Sequence, residues 1–119
     1  MTLICGRVNF FSGPHLVFKY WLRGKFMRII IVGCGKVGSS IASELNLEGH
    51  EISVVDINHG AVDKLANSLD VLGIEGNGAT YDVLIEAGAE YADLLIAATA
   101  RDEINLYSCL MAKAAGVTH

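Results

Sequence analysis

Arg28-Ile-Ile-Ile-Val-Gly-Cys-Gly-Lys-Val-Gly38 decides the fold. Residues 28–32 form a short run, unbroken in its apolar residues after Arg28, the mark of a strand buried on both faces. Gly33-Cys34-Gly35-Lys36-Val37-Gly38 then matches GxGxxG, placed after a strand and before a helix as that motif requires. Each glycine has a mechanical task. Gly33 permits the sharp turn, Gly35 leaves room for a pyrophosphate at the backbone, and Gly38 lets the helix pack close to the sheet. The helix N-terminus directs free N–H groups and a partial positive charge at an anion.

Downstream, strand and helix signals alternate. Lys36–Glu48 carries Val37, Ile41 and Leu45 on one helical face and is closed by Gly49. Glu51–Asp56 reads as the second strand, and Asn58 caps a helix to about Leu69, with Val62, Leu65 and Ala66 inward. Val71–Glu75 is the third strand. Thr80 caps a short helix that stops at Gly88, Asp93–Ala98 is the fourth strand, and Asp102–Ala115 is a last helix followed by Gly116. Short connections and right-handed crossovers then dictate an α/β fold, a Rossmann-like doubly wound parallel sheet with strand order 3-2-1-4. Such sheets normally continue beyond the fourth strand. The reading therefore expects a C-terminally incomplete domain over residues 27–119, its fourth strand an open edge unless other sequence covers it.

Upstream, residues 1–26 differ in kind. They hold Arg7, Lys19, Arg23 and Lys25 and no acid, for a charge of +4, whereas the remainder carries −8. They are rich in aromatics (Phe10, Phe11, Phe18, Tyr20, Trp21, Phe26) and follow no sustained period. A basic aromatic segment can lie on an anionic membrane surface. The preferred reading is an N-terminal extension outside the domain. The whole chain of 119 residues, with 52% hydrophobic and 18% charged residues, has the composition of one folded domain. A net charge of −4 gives no footprint for nucleic acid. Three cysteines without CxxC exclude a disulfide scaffold and a zinc ribbon, and the histidines have no metal-ligand spacing. No apolar run is long enough to span a bilayer.

Candidate site residues lie where the predicted strands end. Asp56, 18 residues after Gly38, ends the second strand, where a carboxylate accepts hydrogen bonds from ribose hydroxyls and repels a 2′-phosphate. Asn77, between Gly76 and Gly78, can donate and accept near an adenine or its ribose, or simply serve a turn. Thr99 and Ala100 end the fourth strand and face the same crevice. Cys34 sits inside the phosphate turn, where a helix terminus lowers a thiol pKa; the alternative is a small residue suited to a crowded turn. Lys36 and Arg101 can reach phosphate or stay solvated. Cys5 and Cys109 read as unreactive thiols, and His50, His59 and His119 as surface residues. On the last helix, Ile104, Leu106, Tyr107, Leu110 and Met111 spread more widely than one buried stripe needs, which suits either an interface or a core under further strands.

Residues 27–119 resemble the N-terminal nucleotide-binding domain (RCK or KTN, also TrkA-N) of Trk-type potassium-uptake regulators. The stretches that carry the resemblance are Met27–Gly38, Val54-Val-Asp-Ile-Asn58, Gly76-Asn-Gly-Ala79, Glu86-Ala-Gly-Ala89, Ala92–Thr99 and Asp102-Glu-Ile-Asn105. The resemblance implies a cytoplasmic, non-enzymatic regulatory subunit, peripheral at the inner face of the plasma membrane. It implies a homo-oligomer, a dimer that builds a ring beneath a membrane potassium-translocating subunit. NAD(H) or ATP/ADP in the crevice would change ring shape and gate the pore. Carried over by motif, the ligand contacts are Gly33, Cys34, Gly35, Lys36 and Val37, with Gly38 as the packing glycine, then Asp56, Asn77, Thr99 and Ala100. No catalytic or metal-ligating residue is implied. The alternative is the cofactor-binding part of an NAD-dependent dehydrogenase, which shares the first strand–helix–strand unit. It needs an acid or base beside the nicotinamide, and no histidine stands at a predicted strand's C-terminal edge.

Overall fold

The computed structural model describes residues 1–6, the backbone of 9–11, and residues 26–117. In chain order these form β1 (Leu3–Gly6), β2 (Asn9–Phe11), β3 (Arg28–Val32), α1 (Lys36–Leu47), β4 (Glu51–Asp56), α2 (His59–Ser68), β5 (Leu72–Glu75), α3 (Tyr81–Glu86), a 3₁₀ turn (Ala89–Tyr91), β6 (Leu94–Ala97) and α4 (Asp102–Ala115). One sheet runs in the order β2-β1-β6-β3-β4-β5. Strands β3, β4, β5 and β6 are mutually parallel, in register Ile31↔Val54, Val55↔Ile74 and Ile31↔Ile96. This is the expected 3-2-1-4 order of a Rossmann-like doubly wound sheet.

The parallel strands are apolar on both faces because both are covered. Ile29, Ile31, Val54 and Ile96 face Ile41, Ala42 and Leu45 of α1 and Val62 and Leu65 of α2. Ile30, Val32, Val55 and Leu95 face Leu84 and Ala87 beside α3 and Cys109, Ala112 and Ala115 of α4. Local signals set the helix limits. The Asn58 side chain accepts from the Ala61 N–H at 3.0 Å and starts α2. α1 and α4 stop before Gly49 and Gly116, both at positive φ.

Three expectations need correction. The first concerns residues 1–26. Strand β1 pairs antiparallel with β6, Leu3 opposite Ala97 and Cys5 opposite Leu95, so the fourth parallel strand is not an open edge. Leu3 and Cys5 join one core layer and Ile4 the other. The reason is physical: a buried parallel strand exposes unpaired backbone groups at its edge, and an apolar tetrapeptide satisfies them. Residues 7, 8 and 12–25, with most of the basic aromatic stretch, lie outside those described, as does His119. Second, His50 is buried, with Nδ1 accepting the Met27 N–H at 3.1 Å. Third, Thr80 stands at the N-cap of α3 but its hydroxyl caps nothing. Asn77 closes that turn instead, its Oδ1 accepting the Ala79 N–H at 2.9 Å and its carbonyl the Thr80 N–H at 3.0 Å. On α4, Leu106, Tyr107 and Leu110 are exposed.

Ile31 is fully buried between β4 and β6, whereas Leu47, at the end of α1, is 84% exposed. Ile31→Ala should lower unfolding free energy by about 2–5 kcal/mol in urea titration. Leu47→Ala should change it by less than about 0.5 kcal/mol.

Candidate functional site

At the C-terminal ends of the four parallel strands lies a crevice of about 400 Å³. Gly33 and Gly35 come from the turn after β3, Asp56 and Ile57 from the end of β4, Gly76, Asn77 and Gly78 from the turn after β5, and Ala98, Thr99, Ala100 and Arg101 from the turn after β6, with Ile104 beyond them. Open parallel sheets place ligands at this edge, where the crossovers diverge to opposite faces.

The glycine turn is determined by sterics. Gly33 has φ +108°, and a Cβ there would lie 2.9 Å from the Ala98 carbonyl carbon and oxygen. At Gly38 a Cβ would lie 1.8 Å from the Gly33 carbonyl oxygen, so α1 can approach the turn this closely only without a side chain. Gly35, at the N-cap, has nothing within 4 Å of an added Cβ and provides no side chain to cap α1. The opening N–H groups of the helix therefore have no side-chain cap, the arrangement that suits an anion.

Asp56 stitches this turn to its neighbours. Its Oδ2 accepts the Cys34 N–H at 2.7 Å and its Oδ1 the Asn58 N–H at 2.9 Å. Its backbone carbonyl accepts the Gly76 N–H at 2.9 Å, and next to it the Val55 carbonyl accepts the Gly33 N–H at 2.7 Å. A carboxylate has about four lone-pair sites, so two remain for incoming hydroxyls.

On the opposite wall Thr99 is held by Asn105 of α4. The Asn105 Oδ1 accepts the Thr99 N–H at 2.9 Å and its hydroxyl at 2.6 Å, while Nδ2 donates to the Thr99 carbonyl at 3.2 Å and to the Met1 carbonyl at 2.6 Å. Asn105 is fully buried and all its capacity is used, so the turn after β6 has one geometry. The Met1 ammonium contacts Asp102 at the start of the same helix.

Of the ten expected site residues, Gly33, Gly35, Asp56, Asn77, Thr99 and Ala100 line the crevice. Gly38 lies beneath the turn as its packing glycine. Lys36 and Val37 are exposed on the first turn of α1, outside the crevice lining. The Cys34 side chain packs into the core beside α1, and only its N–H faces Asp56. Burial, reinforced by the Asp56 carboxylate, pushes the thiol up to about 11, opposite to the lowering that a helix terminus produces. Sequence reasoning missed Ile57 and Ile104 as apolar walls and Asn105 as the clamp on Thr99. An asparagine six residues beyond a strand-end threonine was the available signal for the last.

Parallel strand order, a glycine turn aimed at a strand-edge crevice and a carboxylate on the neighbouring strand define a Rossmann-like domain of the nucleotide-fold class. Residues 29–118 match the family model of the TrkA-N domain, and the chain belongs to that family. It is 42% identical over 83 residues to the Trk system potassium uptake protein TrkA of Azorhizobium caulinodans, covering 70% of this chain and 18% of that protein. It is 41% identical over 86 residues to TrkA of Vibrio alginolyticus, covering 72% and 19%. With the TrkA homolog of Pyrococcus abyssi it shares 34% over 87 residues, covering 73% and 38%. The chain thus spans about a fifth to two fifths of the length of these relatives. Among solved structures, the Bordetella bronchiseptica enzyme WbmG in complex with NAD is 30% identical, with a TM-score of 0.44 over 58% of this chain and 23% of that one.

Two outcomes test this geometry. Gly38→Ala should destabilise the fold by about 3 kcal/mol in urea unfolding, because the obstacle is a backbone carbonyl. For Cys34, an unfolded thiol titrates near 8.5. Between there and about 11 the folded chain holds the proton that the unfolded chain has released, so stability falls as pH rises through this window. Cys34→Ser should make that alkaline decline shallower in denaturation curves from pH 8 to 11.

Proposed function

We propose that this domain binds an adenine nucleotide, NAD(H) or ATP/ADP, and acts as the sensing part of a regulatory subunit for potassium uptake. The observation that carries the reading is the juxtaposition across one crevice of the Gly33–Gly35 turn and the Asp56 carboxylate. Diphosphate oxygens sit at the N-terminus of α1, and ribose hydroxyls donate to the free lone pairs of Asp56. A 2′-phosphate would meet that carboxylate directly, which disfavours NADP(H). Asn77, Thr99 and Ala100 close the other side, and the apolar Ile57 and Ile104 offer surfaces for a base. Arg101 contributes the crevice's guanidinium.

The relatives named for potassium uptake support the regulatory role over catalysis. In this reading a membrane potassium-translocating protein is the partner, and the domain acts from the cytoplasmic face. Among the described residues no helix is long and apolar enough to cross a membrane. Homo-oligomeric assembly uses the exposed Leu106, Tyr107 and Leu110 face of α4. A ligand that fits one crevice width better than another shifts the population of assembly states by that difference in affinity, and by no more.

Titration calorimetry with ATP, ADP, NAD, NADH and NADPH tests the reading. Binding of one or more of the first four, with NADPH much weaker, is the expected result. Asp56→Asn, verified as folded by circular dichroism, should weaken binding roughly 10–100-fold through loss of charge-assisted hydrogen bonds. A folded chain that binds none of the five overturns the proposal.

A further inference from the structure

Two thiols meet where the N-terminal strand joins the last helix. Cys5 of β1 and Cys109 of α4 are both fully buried in one core layer. The Cys5 Sγ donates to the Cys109 carbonyl oxygen at 3.4 Å. Hydrogen bonding between the two cysteines, with the Lys113 ammonium nearby, holds Cys5 below the ordinary thiol range despite burial, and together with burial it raises Cys109. The third cysteine, Cys34, packs in the opposite core layer. Nothing in the nucleotide crevice uses this pair, and Cys5 lies outside the matched residues 29–118.

We propose that Cys5 and Cys109 are a redox-active dithiol that closes to a disulfide and locks β1 onto α4. A disulfide needs two cysteines held side by side, and the packing of β1 against α4 brings the Cys5 sulfur onto the Cys109 backbone. The oxidant is a low-molecular-weight disulfide of the glutathione class. The Cys5 thiolate attacks one of its sulfurs, breaking the reagent's S–S bond and releasing one thiol. Cys109 then attacks the Cys5 sulfur of the mixed disulfide, and the second thiol leaves. The protein loses two electrons, the reagent gains them, and both protons end on the released thiols.

Burial makes the reaction gated. β1 has four residues and its outer neighbour β2 three, so the pair opens as a small edge unit rather than with the whole sheet. Oxidation therefore accelerates in urea below the unfolding midpoint. Once closed, the bond holds in place the strand that follows Met1, whose carbonyl is bonded by Asn105, the residue that clamps Thr99.

The test uses the full chain carrying Cys34→Ser, incubated with glutathione disulfide. The expected result is a Cys5–Cys109 linked peptide in a non-reducing digest, with an intact mass reduced by two hydrogens. The thermal midpoint should rise and return on adding dithiothreitol. Cys5→Ser and Cys109→Ser, each added to Cys34→Ser, should show neither the link nor the shift. Stable glutathione adducts without the link overturn the proposal. So does a link that lowers the midpoint, or no reaction at any urea concentration below unfolding.

Discussion

The closeness of α1 to the turn that precedes it sets most of this molecule. A side chain at Gly38 would collide with the Gly33 carbonyl, so only glycine allows the helix to begin where it does. That placement lets Ile41, Ala42 and Leu45 reach the strand residues beneath them. It also fixes the direction in which the helix N-terminus points. Packing and the shape of the crevice therefore rest on the same contact, and neither can be altered separately. The Asp56 carboxylate extends the constraint sideways, because it holds the Cys34 N–H while leaving lone pairs facing the crevice.

The crevice is asymmetric in what supports it. Its glycine side is held by backbone sterics and by strand-end hydrogen bonds. Its Thr99 side depends on a single buried amide, Asn105, which bonds the threonine backbone, its hydroxyl and the carbonyl of Met1. The first wall is determined within the strand–helix–strand unit. The second draws on residues from both ends of the chain.

This asymmetry explains what could be read from the sequence. β3, β4 and α4 were expected at or very near their observed limits, because apolar runs, an alternation of periods and terminal glycines are local signals. The turn and Asp56 were legible because their spacing is short-range chemistry. The role of Leu3–Gly6 was not legible: its partner is β6, and four apolar residues in an aperiodic segment carry no sign of that pairing. Cys34 was left between two readings for a related reason. The helix terminus is a local cue, but burial in the layer beneath it is tertiary, and burial dominates the thiol. His50 likewise reads as polar in sequence and becomes internal because the Met27 N–H needs an acceptor.

The pairing of Leu3 with Ala97 has a consequence for biosynthesis. Strand β1 cannot find its place early, since its docking site does not exist until β6 and α4 have emerged. Contacts this distant in sequence form slowly, because the loop between them must be closed before they stabilise anything. Throughout elongation the apolar Leu3-Ile4-Cys5 tip is a bare strand in search of an edge, which makes it a natural site for chaperone capture or for mispairing between nascent chains.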